Sequence, residues 1–237
     1  KIEIEDSRFT QWGTSGAINA SCRYLIIKNS EISIPSNQYS QPFEIYTSSN
    51  NEFHAYIKFE NNIINADYYG SRFTNDRDNN NSKNDSIIVI NNTFITYENT
   101  WSDLLSLNTR NQNYTIVEEN NFKKVHEYNT SGSGVLFNNN DQSIFQNNII
   151  SDFREGFRFY SNAEPKIENN IIFNCQYSFN VEGNASSSDI NYNVFSEPFS
   201  IYNNGNIDYL PVGIGELLTV NANGDSVDTY MNLYQDP

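Results

Sequence analysis

The 237-residue sequence predicts an all-β solenoid, a parallel β-helix of about seven to nine coils. Three observations predict it. A short phrase recurs along the chain: apolar, any residue, Asn or Asp, Asn or Ser, any residue, Ile or Phe. Between these phrases a second segment recurs, alternating apolar and polar residues. No sustained 3.6-residue period interrupts either, so the repeating elements read as strands.

The phrase fits IEDSRF ending at Phe9, IKNSEI ending at Ile32, FENNII ending at Ile64 and VINNTF ending at Phe94. It continues as VEENNF ending at Phe122, FQNNII ending at Ile150, IENNII ending at Ile172 and, more loosely, INYNVF ending at Phe195. Successive end points (9 to 32, 32 to 64 and so on) differ by 23, 32, 30, 28, 28, 22 and 23 residues. The shortest intervals cluster, and the longer ones read as the same unit with surface insertions. A solenoid tolerates such insertions because they loop out without breaking the stack. The repeat Ile and Phe residues are the expected core.

The alternating segments are GAINA, PFEIY, GSRFT, GVLFN, GFRFY and YSFNV. Each reads as a strand with one buried face. Leucine-rich repeats have similar periods but need a dense leucine pattern, and the repeated apolar positions here are Ile, Phe and Val.

Stacked coils give the doubled asparagine a reason. The second position of the pair reads Ser7, Ser30, Asn62, Asn92, Asn120, Asn148, Asn170 and Asn193, which fall above one another at one bend. Asn tolerates the left-handed backbone of a tight bend. Its amide can also donate to one neighbouring coil and accept from another, as in the amide ladders of stacked strands. The sequence therefore predicts a structural ladder of Asn62, Asn92, Asn120, Asn148, Asn170 and Asn193.

The Asn-Asn-x-Ile/Phe phrase together with the Gly-apolar-x-apolar strand resembles the repeat of the pectate-lyase-like superfamily. The resemblance covers roughly residues 1–200 and implies a right-handed parallel β-helix. The tail from Leu210 resembles the closing segment of secreted bacterial β-helix-repeat proteins, through Asn221–Asp225 and Asp236–Pro237. It implies an extracellular or cell-surface setting. The expected organisation is one β-helix domain over 1–237, a fragment of a longer chain, with repeat coils at 1–200 and a closing segment at 201–237. Other domains of the parent chain are then expected partners.

Composition narrows the functions. The formal net charge is -15 and the pI about 4.4. No Lys or Arg run makes the basic face that nucleic acid requires, so no nucleic-acid partner is expected. No apolar run nears the length of a membrane span, so no membrane insertion is expected. Asn makes up about one residue in six, well above ordinary usage. Yet 16 Phe and 16 Tyr argue against disorder, because disordered chains lack the aromatic residues that build a core.

The superfamily contains lyases, hydrolases and non-catalytic surface proteins, so the fold leaves function open. Counting on from the Ile/Phe end points without insertions puts Glu98, His126 and Arg154 in one column, with Glu127 and Glu155 together one position later. A His beside carboxylates can act as a base near neutral pH. The same column also reads as an exposed ladder of alternating charge that lowers repulsion between coils. The polygalacturonase branch uses a Gly-His-Gly phrase, which is absent here.

The outward side chains of the alternating segment offer a second surface. Inward Phe157 and Phe159 leave Arg158 and Tyr160 outward. The same rule turns out Glu44 and Tyr46, Arg72 and Thr74, Leu136 and Asn138, and Asn180 and Glu182. Rings stack on sugar faces and amides take hydroxyls, so Arg72, Tyr46, Arg158, Tyr160 and Asn138 are glycan-binding candidates. They read equally as ordinary solvent-facing residues. Asp76, Asp78 and Asn80 have the alternate spacing of a calcium loop but lack its glycine and terminal acid, so Ca2+ is a candidate ligand and no cofactor is required.

The leading expectation is a non-catalytic extracellular or cell-surface module: a scaffold, an adhesin segment or a glycan-binding platform. The alternative is a polysaccharide lyase or glycoside hydrolase using a groove on the β-helix face. The strong negative charge weighs against an enzyme for acidic glycans. Cys22 and Cys175 fall six coil steps apart, so both are expected as free thiols.

Overall fold

The structure is a computed structural model. It describes residues 1–10, 17–22, 24–34, 41–47, 55–66, 70–75, 86–97, 103–109, 114–125, 132–138, 143–160, 162–184, 189–195, 201–206 and 215–216. Among these residues there is no helix, and hence none long and apolar enough to cross a membrane.

Each coil contributes one strand to each of three sheets, and every pairing is parallel, so the chain is a right-handed parallel β-helix. The first sheet stacks Ile2–Glu5, Tyr24–Lys28, Tyr56–Glu60, Ser86–Ile90, Tyr114–Glu118, Ile144–Gln146, Lys166–Glu168 and Asp189–Asn191. The second stacks Arg8–Thr10, Glu31–Ser33, Ile63–Ala66, Thr93–Thr96, Asn121–Lys124, Ile149–Ser151, Ile171–Phe173, Val194–Phe195 and Gly215–Glu216. The third stacks Ile18–Cys22, Phe43–Thr47, Ser71–Asn75, Leu105–Thr109, Ser133–Asn138, Glu155–Tyr160, Tyr177–Asn184 and Ile201–Asn206.

The register follows the repeat residue for residue. Phe9, Ile32, Ile64, Phe94, Phe122, Ile150, Ile172 and Phe195 pair in that order through the second sheet. All are buried except Phe9, which is half-buried in the first coil of the stack. Alternation along each strand sends every second side chain inward. Phe94 and Phe122 stack at 4.7 Å between centroids, and Phe157 and Phe179 at 5.5 Å. Rings repeated at coil spacing make a continuous aromatic core.

The doubled asparagine divides its labour. The first residue of each pair, not the second, takes the left-handed backbone: Asp6, Asn29, Asn61, Asn91, Glu119, Asn147, Asn169 and Tyr192 have φ between 50 and 57°. The second residue turns inward and forms the ladder, with Asn62, Asn92, Asn120, Asn148, Asn170 and Asn193 all buried. From Asn62 to Asn170 each Nδ2 donates to the Oδ1 of the next coil, at 2.9 Å for Asn62 to Asn92 and 3.0 Å for Asn92 to Asn120. That same Oδ1 accepts the donor's own backbone N–H. Each Nδ2 also meets a carbonyl of the preceding coil, Phe59 O at 3.0 Å for Asn92. The first column forms a weaker, exposed ladder running the other way, with Asn91 donating to Asn61 at 2.7 Å and Asn61 to Asn29 at 3.3 Å.

Candidate functional site

The outer face of the third sheet carries two columns in register. One runs Asn19, Glu44, Arg72, Ser106, Leu136, Arg158, Asn180 and Tyr202. The other includes Tyr46 beside Thr74, and Asn138 beside Tyr160. Arg72, Arg158, Tyr160 and Asn138 thus stand on this face, with Arg72 and Tyr160 exposed and Arg158 and Asn138 half-buried. The side chain of Tyr46 lies outside the described residues. Thr74 and Asn180 are outward by register, yet both are buried. Asn180 lies against Glu155 and Glu182, which cover it.

A polar ring forms where the third sheet turns in from the second. Ser133 pairs with Glu155, and Glu155 with Tyr177, at the start of three successive strands. Asp103 stands beside Ser133, because Leu104 N–H donates to Ser133 O at 2.9 Å and Ser133 N–H donates to Asp103 Oδ1 at 3.3 Å. The Ser133 hydroxyl also donates to that carboxylate. The approach is close: a Cβ on Gly70 would lie 1.8 Å from the Asp103 carbonyl oxygen, so only glycine fits below it.

From Asp103 the ring continues through Arg158 Nη1 at 3.9 Å. Arg158 Nη2 reaches both oxygens of Glu182 at 2.8 Å. Asn180 Nδ2 donates to Glu182 at 3.1 Å and to Glu155 at 2.9 Å. Glu155 closes the ring beside Ser133. Two polar atoms in it are buried without a hydrogen-bond partner among the described residues, Arg158 Nε and Asn180 Oδ1.

Burial pushes the Asp103 carboxyl above its usual range, opposed by the Ser133 hydroxyl and the Arg158 charge. Burial also pushes Glu155 up, opposed by the Asn180 amide and by Arg158 and Arg154. Two carboxyls that resist ionisation therefore flank a guanidinium already committed to Glu182. Further along the face, Arg72 Nη1 lies 3.5 Å from Glu44.

The remaining candidates fall elsewhere. Glu98, His126, Asp76, Asp78 and Asn80 lie outside the described residues, as do Asn221–Asp225 and Asp236–Pro237. Arg154 is half-buried and immediately precedes the strand that carries Glu155. The insertion-free count fails at this corner, because Glu155 registers with Ser133 and not with Glu127. Among the described residues no group of three or more His, Cys, Asp or Glu side chains is placed to hold a metal ion.

Asp103 escapes a pattern anchored on glycine. Leu104 occupies the place that Gly70, Gly134 and Gly156 hold in neighbouring coils. Aligning the strands on their alternating apolar residues (Leu105 and Leu107, Val135 and Phe137, Phe157 and Phe159) brings Asp103, Ser133, Glu155 and Tyr177 into one column. Comparison with protein-family models, with curated proteins and with solved structures finds no match to this chain.

Proposed function

We propose that this chain is a non-catalytic β-helix module, extracellular or on the cell surface, whose third-sheet face binds a glycan. The observation that carries this reading is the outward placing of half-buried Arg158 and Asn138 and exposed Tyr160 on adjacent strands of one sheet face. Tyr160 offers a ring for the apolar face of a sugar, and Arg158 and Asn138 offer polar groups for its hydroxyls. The secreted, bacterial and pectate-lyase-like character rests on the repeat phrase and the tail. Binding requires no cofactor, and calcium would enter through Asp76, Asp78 and Asn80.

A second reading, a glycoside hydrolase or polysaccharide lyase at the same face, is favoured by the raised carboxyls of Asp103 and Glu155, which suit a general acid. A panel of neutral, amino-bearing and acidic polysaccharides, assayed for binding and for product release with and without calcium, separates the two. The binding reading expects retention of at least one polysaccharide by the wild type, loss of retention with Arg158→Ala, and no product release. Product release abolished by Glu155→Gln would replace it with the enzyme.

A further inference from the structure

The outer face of the first sheet carries an apolar strip closed at each end by an ion pair. Two outward columns run along the coil stack in register. Over the middle coils one reads Lys58, Ile88, Ile116, Ile144 and Lys166, and the other Glu60, Ile90, Glu118, Gln146 and Glu168. Ile88, Ile90, Ile116 and Ile144 point out of the coil and are half-buried, and no described strand lies over them. Lys58 bridges to Glu60 at 2.7 Å, and Lys166 to Glu168 at 2.9 Å. Four outward isoleucines on adjacent strands form a contiguous patch rather than scattered surface apolars, and such a patch marks an interaction surface. The carboxylates along it, Glu60, Glu118 and Glu168, repel an anionic lipid surface.

We propose that this face pairs with the same face of a second copy of the chain, in a two-fold dimer whose coil stacks run parallel. Charge complementarity selects both the occupant and the geometry. A two-fold axis parallel to the stack, between the two columns, keeps every coil at its level and exchanges the columns. Lys58 then faces Glu60 of the second copy, Lys166 faces Glu168 and Ile88 faces Ile90, and each pairing occurs twice. Ile144 meets Gln146. Ile116 meets Glu118, whose carboxylate already accepts from Gln146 at 2.9 Å and Asn147 at 3.1 Å. At the first coil Glu3 meets Glu5, with Lys1 and Lys28 bound to them at 3.1 and 2.8 Å. The other face-to-face two-fold, perpendicular to the stack at the level of Ile116, sets Lys58 against Lys166 and Glu60 against Glu168, like charge on like. Eight strands at ~4.8 Å and about four residues at ~3.3 Å give about 500 Å2 a side, below the ~800 Å2 of a standard interface. The dimer is therefore weak, with a dissociation constant of about 10–500 μM. It uses no residue of the third sheet and goes beyond the glycan-binding reading without resting on it.

The test is sedimentation of the chain from about 5 μM to about 1 mM, over which the wild type is expected to pass from monomer to dimer. Lys58→Glu sets an acid opposite Glu60 of the second copy, and Glu60→Lys sets a base opposite its Lys58. Each variant alone is expected to self-associate at least about tenfold more weakly than the wild type. Mixed in equal amounts, the two variants place opposite charges across the axis at both positions. The mixture is expected to associate to within about threefold of the wild type. Mixing changes no contact within either chain, so the recovery reports the interface and not the fold. Ile116→Glu, at the centre of the strip, is expected to weaken association about tenfold while keeping the circular dichroism of the wild type. A wild type that stays monomeric to the top of the range overturns the proposal. So does a mixture that associates no better than its two components, or an Ile116→Glu variant that dimerises as the wild type does.

Discussion

Asn120 Nδ2 donates to Asn148 Oδ1 at 3.0 Å, and the same Oδ1 accepts the backbone N–H of Asn120 at 2.9 Å. The relationship repeats at each coil step from Asn62 to Asn193. One side chain therefore satisfies two buried donors of its neighbour while placing its own amide against carbonyls of the coil before. Replacing Asn120 with Leu strips partners from both adjacent coils. The expected loss is about 2–4 kcal/mol, several unpaired buried groups at roughly 1–3 kcal/mol each with partial relaxation. Chemical denaturation of Asn120→Leu checks this, and a midpoint equal to the wild type would contradict the ladder.

Glu119 stands where most coils place Asn or Asp, at φ 56°. A residue without Asn's local hydrogen bonding loses roughly 1–2 kcal/mol in this conformation, and Asn less. Glu119→Asn should therefore stabilise by about 0.5–1 kcal/mol, and it places an amide beside the outer ladder at Asn91. The reverse change at a matching site, Asn91→Val, should destabilise by a similar or larger amount. Thermal unfolding of both variants reads the two signs, and a destabilised Glu119→Asn would contradict the division of labour between the paired residues.

The fold was legible because a solenoid repeats its requirements. Each coil needs a left-handed bend, an inward amide and an inward Ile or Phe in the same order, so Asn91, Asn92 and Phe94 carry a local signature that returns at Asn147, Asn148 and Ile150. Which asparagine of the pair does which task was not legible, since both suit a bend and only the backbone separates them. The site was legible in part. Arg158 and Asn180 follow from strand alternation, but Asp103 and its approach to Ser133 depend on where the insertions fall. Insertion length is unconstrained by packing, so a count from the preceding Phe loses register at that corner, as it does for Glu155.

Stability should fall with rising pH through the Asp103 and Glu155 carboxyls. Both are pushed above the ordinary carboxyl range by burial, so the folded chain holds their protons longer than the unfolded chain does. Below about pH 4 both states are protonated and this contribution is intact. As pH rises the unfolded chain releases its protons first, and the contribution is lost through the folded pKa. Glu155→Gln removes one of the two titrations, so its stability relative to wild type should improve between about pH 4 and pH 7.5. Denaturation midpoints at the two pH values decide it, and a variant-minus-wild-type difference that falls or stays flat as pH rises would count against a raised Glu155.

Cys175 is buried, and burial pushes its thiol up to about 12. It should react with thiol reagents in the native chain only through unfolding. The strand Ile18–Cys22 and the strand Tyr177–Asn184 are six steps apart in the third sheet. At ~4.8 Å per step their separation is ~29 Å, far beyond the ~7 Å between Cα atoms that a disulfide spans. Thiol titration of the unreduced, unfolded monomer should find two free groups. An intramolecular Cys22–Cys175 link by mass spectrometry would break the coil register.

The side-chain N–H resonances of Arg158 and Asn180 test the central claim most directly. In a 15N-labelled sample, saturating glycan should shift the Arg158 Nε–H and Asn180 Nδ2 signals, because the ligand lies over the face that carries both side chains. The Nδ2 signals of the buried ladder, Asn92 and Asn120, should stay in place. Bound glycan that leaves Arg158 and Asn180 unmoved, with shifts confined to the first or second sheet, would contradict a binding site on the third-sheet face.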